Sequence, residues 1–236
     1  MKEYHMFYKL FVFMLVFLVS VNASDRCSPW DPRCNKPYPV NGLYGGISLG
    51  YTNLVGQLSR TLNVNASDRV TSVGESGGAP GAFVGYQIFD GKLYLAAEGF
   101  YQYSDIVIEK EENTFPGFIN YFTYIKNDHK SGIVGKFGFV HSDHIFYIKT
   151  GLELSRFILG FRDKNESPAI TSSKSRIRKG IILGGGMDYF INRNFAIGME
   201  YGITNYSSMN FKNNSVGSFC FKPASHVFQV RLKYTF

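Results

Sequence analysis

Two short runs of residues carry side chains that could perform chemistry. Residues 141–144 read His-Ser-Asp-His, a pattern that could bind a metal ion or supply a hydrolytic serine. Ser225 and His226 form a second pair, without an acidic partner at a useful spacing. Polar residues at a turn or at a strand end explain both runs more simply. We therefore predict no catalytic residue, no metal site and no cofactor.

A glycine-rich stretch, "LGGGMDYF" at 183–190, superficially resembles a phosphate-binding loop. Such a loop needs a helix directly after it, and the sequence predicts none here. Glycines inside a strand allow it to bend, or allow bulky neighbours to approach its backbone. We interpret this stretch as part of a β-strand.

The last eleven residues, "HVFQVRLKYTF", alternate strictly between two kinds of side chain. Positions 228, 230, 232 and 234 are Phe, Val, Leu and Tyr, whereas positions 229, 231, 233 and 235 are Gln, Arg, Lys and Thr. A period of two is typical of a β-strand whose two faces meet different surroundings. This run alone does not distinguish a soluble sheet from a membrane barrel.

The N-terminus has the pattern of a secretory signal. Residues 1–23 contain Lys2 and Lys9, an apolar stretch, and small residues before a cleavage site expected after Ala23. The apolar stretch is shorter than the ~20 residues that a membrane-spanning helix needs. We expect residues 24–41 to form a periplasmic N-terminal segment, in which Cys27 and Cys34 are close enough to form a disulfide in an oxidising compartment. Cys220 is left without an assigned partner.

The composition favours many short strands joined by tight turns. Aromatic residues make up 17% of the chain, which also contains 25 glycines, and β-branched and aromatic residues favour strands. The formal net charge is +7. For an exported, strand-rich chain, this positive charge favours anionic lipid or polysaccharide as a partner over nucleic acid.

From residue 42 onward, alternating segments recur with connectors of two kinds. Two-residue connectors, such as Asp90-Gly91 and Ser142-Asp143, join three pairs of segments, and the other four connectors are much longer. All short connectors must lie at one end of the structure, as in outer-membrane barrels, which have short periplasmic turns and long external loops. The predicted strands are 43–58, 79–89, 92–108, 130–141, 144–159, 176–191, 194–207 and 226–236.

These segments predict an all-β fold, an eight-stranded antiparallel up-and-down transmembrane β-barrel over residues 42–236. A barrel of this size leaves room only for side chains in its lumen. Buried charges must be paired, so we expect the lumen to be a structural plug rather than an ion path. The residues predicted to form this charge network are Glu98, Lys136, Lys149, Glu153, Arg178, Asp188, Glu200, Arg231 and Lys233.

The signal segment, the eight strands, a hairpin repeat ending in Glu and the terminal "VRLKYTF" resemble the small outer-membrane β-barrel superfamily of Gram-negative bacteria. This superfamily includes opacity-type surface proteins and the OmpA transmembrane domain. The resemblance implies that Phe236 is the signal read by the barrel-assembly machinery. It also implies a role in adhesion or envelope integrity. A narrow channel and a lipid-modifying enzyme remain the alternatives.

Two predicted external loops carry candidate binding residues. The third loop and its strand shoulder are basic, which suits the phosphates of lipopolysaccharide or sulfated host glycans. The second loop is aromatic, and exposed aromatics often form a contact surface with host molecules. The basic residues are Arg162, Lys164, Lys174, Arg176 and Lys179, and the aromatic residues are Phe115, Phe118, Tyr121, Phe122 and Tyr124.

Overall fold

The computed structural model describes residues 40–61, 69–112, 121–163, 170–213 and 217–236. The predicted signal segment, almost all of the segment that follows it, and the Cys27 and Cys34 pair lie outside the described residues. No helix in these ranges is long and apolar enough to cross a membrane.

Nine strands form one closed antiparallel sheet. Each of the first six pairs with the next in the chain, β7 pairs with β9, and β9 pairs with β1 to complete the circle. The short β8 lies beyond the end of β7 and pairs with β9 alone in the described chain. The wall of the barrel therefore has eight strands around its circumference, because β8 only extends the line of β7, and this confirms the predicted fold. The strands are β1 (Gly42–Thr61), β2 (Arg69–Asp90), β3 (Leu93–Glu112), β4 (Tyr121–His141), β5 (His144–Asp163), β6 (Ile170–Phe190), β7 (Phe195–Tyr206), β8 (Met209–Asn213) and β9 (Gly217–Thr235).

Tight turns join the strands at one end of the barrel. Gly91, in the turn between β2 and β3, has a φ of 60°, a conformation that glycine adopts without steric cost. Ser142 has a φ of 54° in the turn between β4 and β5. Asn192 Oδ1 accepts hydrogen bonds from the backbone N–H groups of Asn194 at 2.9 Å and Phe195 at 2.8 Å, which fixes the third turn.

The lower half of the barrel presents an apolar outer surface. Leu49 is 71% exposed and Ile133 is 70% exposed, which is expected for side chains whose solvent is hydrocarbon. An aromatic belt borders this surface near the turns, where the rings of Phe195 and Tyr234 lie 4.8 Å apart. The upper belt contains the exposed Tyr51, Tyr101 and Tyr103 and the partly exposed Tyr201 and Phe228. Two aromatic belts that flank an apolar band are typical of outer-membrane barrels.

The strands extend well above the upper belt, where the sequence predicted long loops. β2 begins at Arg69 rather than at residue 79, β6 at Ile170 rather than 176, and β9 at Gly217 rather than 226. Above the belt the outer face meets water rather than lipid, so the apolar alternation that identifies a membrane strand ends there. The hydrogen-bonded ladder nevertheless continues.

Above the belt, the closed wall divides into two four-stranded sheets. The ladder between β2 and β3 ends at Gly81 and Gln102, and the ladder between β6 and β7 ends at Gly180 and Tyr206. Outer sheet A consists of the upper parts of β2, β1 and β9 together with β8, and outer sheet B consists of the upper parts of β3, β4, β5 and β6.

An apolar core lies between the two outer sheets. Sheet A contributes Leu54, Leu58, Val73, Met209 and Phe221, and sheet B contributes Ile106, Ile108, Ile125, Phe157 and Leu159, with Tyr206 beside them. At this level most outward side chains are polar or charged, and the inward side chains of this core are apolar. In the membrane part below, the lumen contains charged side chains and the outer face is apolar. The polarity of the wall therefore inverts along the barrel axis, as it must where lipid gives way to water.

The outer core predicts a local loss of stability when one of its side chains is truncated. Ile106 is fully buried in the core, whereas Ile177 is 68% exposed on the outer face of sheet B. We expect Ile106→Ala to destabilise the outer sheets by about 2–5 kcal/mol, because it opens a cavity, and Ile177→Ala to have little effect. Limited proteolysis of the folded protein in micelles measures this. Equal cleavage rates for the two variants would contradict the buried core.

Candidate functional site

Glu200 lies at the centre of the lumen and accepts hydrogen bonds from several donors. Lys136 Nζ lies 2.6 Å from its Oε1, and Lys149 Nζ lies 2.5 Å from its Oε2. Arg231 also donates to Oε1, and Tyr147 Oη donates to it at 2.7 Å. A carboxylate with this many charge-assisted partners holds four strands in register across the lumen.

Two further carboxylates extend this charge network. Glu98 accepts from Lys136 Nζ at 2.8 Å and from an Arg231 guanidinium nitrogen at 2.5 Å. Asp188 accepts from Lys233 Nζ at 2.5 Å. All of these side chains are buried. Removing charges from water is expensive unless they are paired, and here each of the three carboxylates has at least one cationic partner.

Aromatic rings close the lumen around and below the charge network. The Arg231 guanidinium lies 3.6 Å from the centroid of the Phe83 ring, close enough for a cation–π contact. Toward the turns, an apolar layer lies inside the barrel. This layer consists of Tyr94, Ile145, Tyr147, Phe190 and Ala196, with Phe89, Ala96 and Val140 packed against it.

A small cavity of about 30 Å³ lies above the charge network. Glu98, Gln102, Lys149, Glu153 and Gln229 are among its lining residues. Such a space holds a water molecule or two. The charge network, the lower apolar layer and the outer core thus lie at three successive levels of the described lumen.

Two predicted network residues lie apart from the carboxylates just described. Glu153 accepts from Thr204 Oγ1 at 3.0 Å and from Tyr206 Oη, and the described residues supply no cation within bonding distance of it. Arg178 lies higher on β6, with a buried Nε that has no partner in the described structure. Lys130, which was not predicted to belong to the network, is buried and donates to Ser225 Oγ at 2.7 Å.

Some of the predicted loop residues are strand residues. Lys174 lies on β6 and Tyr124 lies on β4, which corrects their assignment to loops and has the same cause as the strand extensions above. Arg176 and Lys179 lie on β6, within the strand predicted there. Phe115, Phe118 and Lys164 lie outside the described residues, and of Arg162, Tyr121 and Phe122 only the backbone is described.

The outer surface just above the upper belt carries an ion pair that the sequence did not predict. An extra residue in β4, Asp128, interrupts the register with β5, and such bulges redirect side chains. Arg156 donates to both Asp128 oxygens, through Nε at 2.8 Å and also through Nη2. Burial favours the protonated form of Asp128, but the Arg156 hydrogen bond and charge outweigh it, so the pKa of Asp128 is lowered.

The two candidate catalytic runs have other roles in the structure. Ser225 points into the lumen toward Lys130, whereas His226 points outward and hydrogen-bonds Tyr201 at 2.8 Å. His144 stacks on Phe146 beside the lower turn. In the described part of the chain, no three His, Cys, Asp or Glu side chains are grouped to hold a metal ion.

A closed barrel with an apolar band outside and charges inside defines the class of integral membrane β-barrels. The family model "Outer membrane protein beta-barrel domain" matches residues 11–236, nearly the whole chain. The chain therefore belongs to this family of Gram-negative outer-membrane proteins, and the superfamily resemblance read from the sequence is confirmed.

Several solved structures share this fold at low sequence identity. OprG from Pseudomonas aeruginosa is 16% identical, with 86% of this chain and 99% of that chain covered and a TM-score of 0.49. Ail of Yersinia pestis is 12% identical, with 84% and 100% covered and a TM-score of 0.40. Neisserial surface protein A is 14% identical, with 80% and 97% covered and a TM-score of 0.39. No curated protein matches the sequence significantly.

The position of Glu200 predicts a large effect of neutralising it. Glu200→Gln removes the carboxylate that Lys136, Lys149 and Arg231 share and leaves buried positive charge uncompensated. We expect the free energy of unfolding in micelles to fall by about 3–5 kcal/mol. Glu75→Gln, at an exposed position of β2, is the matched control. A urea unfolding midpoint equal to that of the control would contradict the central role of Glu200.

The Asp128 and Arg156 pair predicts a pH-dependent contribution to stability. Because folding lowers the pKa of Asp128, the pair stabilises the protein above the unfolded pKa of about 3.9. The contribution is lost as pH falls through the folded pKa. We therefore expect Arg156→Ala to be less stable than the parent protein at pH 7, with the difference shrinking below about pH 4. Urea titrations at both pH values measure it, and a difference independent of pH would contradict the ion pair.

Proposed function

We propose that the protein is a non-conducting surface protein that acts in attachment or envelope integrity through its extracellular part. Its partners would be lipopolysaccharide or host surface molecules, and the outer sheets would carry the contact surface. The observation that supports a blocked lumen, and so carries this proposal, is the pair of apolar clusters above and below the paired charges. A channel needs a continuous polar path, whereas here an apolar layer below and an apolar core above enclose the paired charges.

The outer sheets support a role in display. A barrel that only anchored itself in the membrane would need strands of about 9–11 residues. β2 and β6 instead have 22 and 21 residues. Their upper parts form a packed, water-facing structure above the upper aromatic belt. Such a platform suits contact with molecules outside the cell.

The alternative of a lipid-modifying enzyme lacks support at its proposed residues. A hydrolytic serine and its histidine must lie within hydrogen-bond reach of each other. Ser225 and His226 instead point to opposite sides of the wall, and each has another partner.

A conductance measurement tests the blocked lumen. We expect the purified protein, inserted into planar bilayers at neutral pH, to give no stable conductance, because an apolar cluster lies on each side of the charge network in the described part of the lumen. An open porin inserted under the same conditions is the positive control. Stable, reproducible conductance steps would favour the narrow channel instead.

Intact cells with and without the protein test the surface role. We expect cells that carry it to bind more strongly to at least one member of a panel of glycans and matrix proteins, or to exclude a large dye better. Equal binding across the panel together with equal dye entry would contradict both proposed roles.

A further inference from the structure

One edge of outer sheet B has no strand partner in the described structure. The upper part of β6, from Ile170 to Lys179, pairs with β5 on one side only. The last hydrogen bond on its other side runs from Ser207 N–H to the Lys179 carbonyl oxygen at 3.1 Å. Across this gap, β8 pairs with β9 rather than with β6. We call residues 173–179 the β6 edge.

The direction of the Lys179 carbonyl shows which backbone groups face the gap. In an antiparallel strand, the N–H and C=O of one residue point to the same side, and alternate residues share that side. Ser173, Ser175 and Ile177 therefore present their N–H and C=O groups to the gap. An exposed row of such groups is a template for pairing with another extended chain.

The β6 edge is also strongly basic. Lys174 and Lys179 are exposed, and Arg176 and Arg178 are partly exposed. None of these four forms an ion pair with a described carboxylate, and the Arg178 Nε is buried without a partner. By contrast, Arg156 on β5 is paired with Asp128. The facing strand β8 reads Met-Asn-Phe-Lys-Asn, so it contains no acidic residue that could neutralise the edge.

We propose that the β6 edge binds an extended acidic peptide segment by strand addition. The peptide backbone pairs with Ser173, Ser175 and Ile177, and its acidic side chains reach Lys179 on the outer face and Arg176 or Arg178 on the inner face. Main-chain pairing supplies affinity, and the alternating side chains supply specificity. A sulfated glycan would satisfy the charges but not the row of backbone groups, which is why a peptide fits better.

This inference rests on the proposed function, because it names the partner class of the extracellular surface. It does not depend on the blocked lumen, so conductance and peptide binding can fail separately. The result of the cell-binding panel also does not decide whether the β6 edge binds a peptide, since other surfaces of the protein can account for attachment.

Fluorescence anisotropy of the folded protein in detergent micelles tests the proposal. The probe is a labelled synthetic peptide in which Glu and Val alternate. We expect saturable binding that weakens with salt. Ser175→Pro removes one N–H from the edge, a position where proline is tolerated because no ladder bond is lost, and should weaken binding at least about tenfold. Ser175→Ala keeps the N–H and is its matched control.

Two further comparisons separate strand addition from simple charge attraction. The double variant Arg176→Gln with Lys179→Gln should bind the peptide more weakly than Lys222→Gln, which neutralises an exposed cation on β9. A peptide N-methylated at alternate residues keeps its charged side chains but lacks the backbone N–H groups on one edge. We expect this peptide not to bind. Undiminished binding of this methylated peptide, or of the parent peptide by Ser175→Pro, would show polyanion binding and overturn the proposal, as would no binding at all. Each variant is used only if it retains the heat-dependent gel migration of a folded barrel.

Discussion

Hydrocarbon offers no hydrogen bonds, and this constraint determines most of the structure. Between the aromatic belts every backbone group must find a partner within the wall, so the sheet closes on itself and has no edge. The same constraint requires the lumen charges to be paired, with Glu200 at their centre. Above the belts water satisfies exposed backbone groups, and there the ladders between β2 and β3 and between β6 and β7 end. The closed sheet therefore divides into two sheets only where water can bond to their edges.

The membrane part could be predicted from the sequence because lipid imposes a simple pattern. Leu232 and Tyr234 face outward while Arg231 and Lys233 face inward, and this alternation repeats through all eight strands of the wall. The tight turns at Gly91 and Ser142 fixed the topology. Most members of the charge network follow from the same pattern, since an inward charge in a narrow barrel has few possible neighbours.

The outer sheets were not predicted, for reasons that particular residues show. On β4, Asn127 and Lys130 both face inward although they are three positions apart, because the bulge at Asp128 shifts the period-2 pattern. On β6, the run Ile-Thr-Ser-Ser-Lys-Ser at 170–175 reads as a loop, because water-facing strand positions require no apolar residue. Glu153 on β5 accepts hydrogen bonds from Thr204 and Tyr206 on β7, which is two strands away in the wall. The local sequence contains no signal for the distance between side chains on these two strands.

The two outer sheets also differ in how their strands are distributed along the chain. Sheet B is built from β3 to β6, which follow one another, so it can assemble hairpin by hairpin through contacts that are close in sequence. Sheet A joins β1 and β2 to β8 and β9, and such distant pairings form slowly. Its half of the outer core, including Leu54 and Phe221, is complete only after β9 has met β1. We therefore expect ring closure of the wall and consolidation of the outer core to coincide during biogenesis.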